Sequence, residues 1–128
     1  MNIDTFLALV NAYCTRAGLP PAELHDEHCV LMPQPEQAVI LAWDGAEEEV
    51  VLLAPVGAEA AALDGESAVE LLGDAYLGQN LGGAAAGIDP RTGGLVLWRR
   101  LPAYGLTADR LERAIGRTVT AAQACAGV

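Results

Sequence analysis

The chain has no lysine, a single phenylalanine and only 5% aromatic residues in 128. With 52% hydrophobic residues, its core must be built mainly from Ala, Val, Leu and Ile. Its three cysteines, Cys14, Cys29 and Cys125, are odd in number and widely spaced, which excludes a secreted disulfide framework. Each reads as a small buried apolar side chain. No apolar run approaches the ~18 residues of a membrane span, and Met1 is followed by neither a basic nor an apolar signal region. These absences predict a cytoplasmic protein with no membrane partner. Internal repeats and low-complexity linkers are also missing. The length suits one domain, residues 1–128, able to bury roughly two thirds of its unfolded surface.

Positive charge is scarce as well. Seven Arg against seventeen acids leave a net charge of −10, which disfavours nucleic acid as a partner. The imbalance is uneven: residues 1–89 hold fifteen acids and one Arg, whereas residues 90–128 hold two acids and six Arg.

What is present is a clear order of elements. Ile3, Phe6, Leu7, Val10, Tyr13, Cys14 and Ala17 recur at helical spacing behind Asn2 as N-cap, and Gly18, Pro20 and Pro21 end that helix. Cys29–Met32, bounded by Pro33 and Pro35, predicts a short strand. Glu36–Trp43 and Glu49–Val56 predict a hairpin around Asp44-Gly45, with Pro55 placing the end of the second strand at a sheet edge. After an acidic, Ala-rich connection (Gly57–Gly65), a capping box of Ser67 and Glu70 opens a helix through Leu77 that stops near Asn80–Gly83.

The most informative stretch follows. Gly82–Ile88 leads into the turn Asp89-Pro90-Arg91-Thr92-Gly93-Gly94 and a second strand, Leu95–Leu101. Thr107 then caps a third helix with Leu111, Ile115, Val119 and Ala122 inward and Arg110, Arg113 and Arg117 outward; Gly116 costs it about 1 kcal/mol unless close packing needs the space. The Ala-rich tail from Thr120 carries no assignment. The expected fold is α+β, a small twisted antiparallel sheet with three helices in the order α-β-β-β-α-β-β-α.

No catalytic constellation accompanies this pattern. His25, His28 and Cys29 are the only clustered metal-capable side chains; they lack a recognisable fourth ligand, and a solvated loop is the simpler reading. A Cys29 nucleophile lacks an orienting group and an oxyanion donor. The glycines from Gly82 to Gly87 lack the Gly-Lys-Ser/Thr ending of a phosphate loop. Glu47, Glu48 and Glu49 read as a solvated hairpin tip, and Arg99 and Arg100 as structural. No cofactor or metal is expected.

Apolar surface is in excess instead. Val39, Leu41 and Trp43 alternate with Ala38, Ile40 and Ala42, so both faces of the sheet need cover. Two helices can cover one face. The other face and the outer arc of the second helix need a partner, unless the Pro55–Glu66 segment folds over them.

The chain resembles class I type III secretion chaperones of the Tir chaperone family over roughly Ile3–Val119. The resemblance rests on F-L-A-L-V-N-A-Y in the first helix, on A-V-I-L-A-W and V-V-L-L-A-P-V in the strand pair, and on G-I-D-P-R-T-G-G-L-V-L-W-R-R-L-P followed by L-T-A-D-R-L-E-R-A-I. It implies an acidic cytoplasmic homodimer without enzymatic activity or nucleotide, which holds the extended N-terminal segment of a secreted effector. It also implies Val69, Leu72, Tyr76 and Trp98 at the dimer interface. Phe6, Val10, Val39, Leu41 and Leu52 are then candidates for the client groove or for the core beneath it. The basic C-terminal third departs from the uniform acidity expected of the family. Two other readings are a regulatory or scaffold module of the same fold that binds a folded partner, and a small thiol or metal enzyme built on His25, His28 and Cys29.

Overall fold

The computed structural model describes residues 1–59 and 63–126. Helix α1 (Ile3–Ala17) starts where the Asn2 side chain accepts the Thr5 N–H at 2.9 Å. It ends at Gly18, whose left-handed backbone (φ 71°) lets the Leu19 N–H return to the Cys14 carbonyl at 2.8 Å. Strands β1 (His28–Gln34), β2 (Gln37–Asp44) and β3 (Glu49–Glu59) form an antiparallel meander. Helix α2 (Gly65–Asp74) and a 3₁₀ turn (Tyr76–Gly78) follow, then the hairpin of β4 (Ala85–Ile88) and β5 (Gly94–Pro102), then α3 (Ala108–Ala126).

The five strands form one open antiparallel sheet in the order β1-β2-β3-β5-β4. The excursion through α2 brings β5 back beside β3, and β1 and β4 are left as the edges. The turn between β4 and β5 closes as its residues dictate: Asp89 accepts the N–H groups of Thr92 and Gly93, and its carboxylate accepts the Arg91 N–H at 2.9 Å. Thr107 caps α3 by accepting the Arg110 N–H at 3.2 Å.

All three helices lie on one side of the sheet. One core cluster packs Phe6, Val10, Tyr13 and Cys14 of α1 and Leu111 and Ile115 of α3 against Val39, Leu41, Val50 and Leu52. Phe6 stacks on Trp43 with ring centroids 6.1 Å apart. A second cluster joins Ala121 and Ala122 to Ala54, Val56, Leu95 and Leu97, with Leu71 and Ala75 packed on it. The Ala-rich tail is therefore the last part of α3, and its small side chains let the helix lie close to the strands.

Four local expectations are corrected. Pro55 lies within β3, a central strand; its partner is Val96 on β5, and the registered pairing with β2 has already stopped at Leu53, so a residue without an N–H is tolerated. The α2 cap is Asp64, whose carboxylate accepts the Ser67 N–H at 2.7 Å, and not Ser67 itself. That helix ends at Asp74, well before Asn80; a 3₁₀ turn with Leu77 in left-handed backbone follows, and Gly78 packs so tightly on Gly83 that a Cβ would lie 2.9 Å from the Gly83 carbonyl carbon. The expected Gly57–Gly65 connection begins inside β3, and residues 60–62 of it lie outside the described part.

Candidate functional site

Strand alternation sends every second residue of β1, β2, β3 and β5 away from the helices. The register aligns these side chains across the whole sheet: Val30 is opposite Ile40, Ile40 opposite Leu53, Leu53 opposite Trp98, and Trp98 opposite Ala85. The result is an apolar row that crosses all five strands. Beside it, Val96 pairs with Pro55 and Gly87, and Val51 with Ala42. A Cβ at Gly87 would touch the Trp98 indole at 3.5 Å, so the missing side chain gives the ring a flat bed.

No element covers this face among the described residues. It forms a trough of about 1190 Å³, with Val30, Met32 and Ile88 exposed toward its two edges. Ionisable groups sit at its two ends. Arg100 reaches Asp44 at 3.1 Å, and the Glu47 N–H together with Arg100 holds the Asp44 carboxyl below its ordinary range. At the β4–β5 turn Arg91 does the same for Asp89.

A second apolar surface lies on α2. Leu71 and Ala75 face the core, while Val69, Leu72 and Tyr76 share the outer stripe and are 71%, 70% and 67% exposed. Leu77, also exposed, has left-handed backbone (φ 54°), a conformation that costs a non-glycine residue roughly 1–3 kcal/mol.

Of the residues singled out from sequence, Val69 and Leu72 of α2 and Tyr76 of the turn after it are thus brought together, and Trp98 stands in the row on the open face, on the opposite side of the sheet. Phe6, Val10, Val39, Leu41 and Leu52 are brought together too, but all have 0% exposure beneath α1 and α3. They are core under the sheet and leave no surface for direct contact. Of the two roles the sequence leaves open for them, groove or the core beneath it, their burial fits the core. One signal separates the two faces: the open face carries His28, Asp44, Glu49 and Arg100 at its rim, while the covered face carries only Arg99.

His28 and Cys29 are neighbours on β1 and so face opposite sides of the sheet. Cys29 is fully buried, 3.8 Å from the Leu41 carbonyl, and burial with the nearby Cys14 pushes its thiol up to about 11. His25 lies 3.7 Å from Glu23 and His28 leans on the Asp26 carbonyl. Among the described residues no three metal-capable side chains converge. No described helix is long and apolar enough to cross a membrane.

A sheet covered by helices on one side and bare on the other is one outline of a protein made to hold another chain. A family model for Tir chaperone proteins matches residues 8–126. The chain belongs to the Tir chaperone protein (CesT) family. No curated protein matches it by sequence. Among solved structures it is similar to a chain of the HopA1–SchA chaperone–effector complex, at 16% identity and TM-score 0.80, covering 100% of this chain and 99% of that one. A chain of the ExsC–ExsE complex is similar at 20% identity and TM-score 0.83, covering 98% and 94%. The Yersinia pestis type III secretion chaperone SycH, in complex with a stable fragment of YscM2, gives 18% identity and TM-score 0.73 over 94% and 98%. At these identities the likeness is one of fold, and it extends over the three helices and the open five-stranded sheet.

Proposed function

We propose that this CesT-family chain is a non-catalytic type III secretion chaperone. It acts in the bacterial cytoplasm as a homodimer of one-domain subunits and keeps the N-terminal segment of an effector extended and competent for export. The observation that carries the reading is the uncovered apolar row Val30–Ile40–Leu53–Trp98–Ala85 on a family-typical sheet. Surface of this kind in a soluble protein marks a site of association. An extended client gains main-chain hydrogen bonds where it passes a free edge such as β1, and a following segment that crosses the open face sets alternate side chains against the sheet. The outer stripe of α2 and the turn after it (Val69, Leu72, Tyr76) is assigned to subunit pairing; Trp98, also expected at the dimer interface, is assigned here to the row that receives the client. Phe6, Val10, Val39, Leu41 and Leu52 serve the client indirectly, as the core that keeps β1, β2 and β3 in register. Enzymatic activity has no place in this reading: Cys29 is inaccessible and its thiol stays protonated at neutral pH.

Two measurements test it. Light scattering of the pure protein is expected to give about 27 kDa, twice 13.3 kDa, as a two-fold symmetric pair requires. Co-expression with the tagged N-terminal segment of an effector encoded nearby is expected to yield a complex in which that segment resists protease. A partner retained only through its folded domain would replace the chaperone reading with that of a regulatory module. A stable monomer that retains no partner would end both.

A further inference from the structure

Six of the seven arginines fall after residue 89, and four of them meet at one place. Arg110, Arg113 and Arg117 form a stripe within about 60° of arc on the exposed side of α3. Arg99 rises toward them from the helix-facing side of β5. Together with Leu101 and Leu106 they line an open cleft of about 410 Å³ between the end of β5 and α3. Tyr104, 97% exposed, stands at its mouth.

None of these four guanidinium groups is in a salt bridge among the described residues, although the chain carries seventeen acids. The nearest acids are already engaged. Asp109 and Glu112 turn toward Arg16 of α1, on the other flank of α3, and Arg113 acts on Asp109 only as a weaker, more distant charge. Arg99 gives one N–H to the Gly82 carbonyl at 2.9 Å, while its Nε is buried without any partner. Desolvation and the neighbouring Arg117 lower its pKa, so the positive charges here are held together against their mutual repulsion. A buried donor without an acceptor and four unneutralised charges in one cleft are both costly in an empty site and both relieved by an anion.

We infer that the β5–α3 cleft binds a short acidic stretch of the client polypeptide, with carboxylates on Arg99, Arg110, Arg113 and Arg117 and an apolar side chain on Leu101 and Leu106. Inorganic phosphate would satisfy the arginines but leave the apolar wall and Tyr104 unused; a peptide that alternates acid and apolar residues uses both. The remaining surface is strongly acidic and repels such a segment, so the cleft also fixes where along the chaperone it docks. The inference rests on the chaperone reading for the source of the peptide, and it adds the chemistry of one contact.

The test uses a fluorescein-labelled ten-residue peptide of alternating Glu and Leu, followed by anisotropy at low salt against the full chain. Binding is expected to weaken at least ten-fold in the R113E/R117E protein, on replacing Glu by Gln in the peptide, and on raising salt, while A8E/A12E on the exposed side of α1 leaves it unchanged. Both α3 positions are exposed, and an unchanged melting temperature checks the fold. Equal binding of the Gln peptide, an unaffected R113E/R117E protein, or an equal loss in A8E/A12E would overturn the inference. Inorganic phosphate binding as tightly as the peptide would overturn it in favour of a small anion, and a halved solution mass of R113E/R117E in favour of a second copy. If the effector segment is retained but the peptide is not, the cleft assignment alone fails. If the peptide binds and no effector is retained, the chaperone reading fails.

Discussion

On β2, Val39, Leu41 and Trp43 are buried beneath α1 and α3, while Ile40 and Ala42, one residue away, face the other side and keep part of their surface open. The same division runs through β3, where Val50 and Leu52 are buried and Val51 and Leu53 are not. Residue type hardly differs between the two faces. What differs is what docks on them, and that is decided by contacts far apart in the chain. Hydrophobicity therefore does two things here: one face supplies the stability of the subunit, and the other stays open as the surface proposed for association.

A direct way to break the comparison is to remove one large side chain from each face. Phe6→Ala empties a fully buried site against Trp43 and is expected to lower unfolding free energy by about 3–5 kcal/mol in urea titrations. Leu53→Ser on the open face is expected to cost the subunit only about 1 kcal/mol while abolishing retention of the effector segment. Comparable losses of stability from both would mean that the open face is covered in the free protein. Next in size is Tyr76→Asp, which sets a charge in the proposed α2 pairing surface and should halve the mass seen by light scattering.

The covered face also makes a prediction about pH. The Cys29 thiol, ordinarily at 9.0, is pushed up to about 11 by burial and by Cys14. The folded state holds this proton more tightly than the unfolded chain does, so the stability it contributes is complete below pH 9.0 and lost as pH rises through about 11. Wild type should lose stability relative to C29A across that window, and parallel curves would contradict the assignment. The smallest effect is expected at Gly116, exposed on α3, where an added Cβ meets nothing within 4 Å. Close packing is therefore not its reason, and Gly116→Ala should raise stability by about 1 kcal/mol in thermal melts.

The parts of the fold legible in sequence are those fixed by neighbours in the chain. Asp89 to Gly94 specify their turn through their own side chains and backbone preferences, and Asn2, Gly18 and Thr107 specify helix ends in the same way. Ser67 misled because Asp64, three residues earlier, is an equally good cap, and its carboxylate takes the Ser67 N–H. Pro55 misled because a proline reports only that one N–H is missing, and β3 satisfies that in mid-sheet where β2 has stopped pairing. Alternation is symmetric and separates two sets without saying which one the helices cover, which is why Val39 and Leu41 stand in sequence as candidates either for the groove or for the core beneath it. The arginine cleft was hidden for the same reason, since Arg99 lies on one element and Arg110, Arg113 and Arg117 on another.

The apolar row has one more property, its length. Five strands about 4.8 Å apart make it about 19 Å from Val30 to Ala85. A chain lying across it in extended form, with side chains on the near side every ~6.7 Å, spans it in about six residues, three of them facing the sheet. A helix would need about thirteen, at 1.5 Å each. On the proposed function the sheet is a ruler that selects for a short run with an apolar residue at every second position, a spacing that can be searched for in the first residues of any candidate effector.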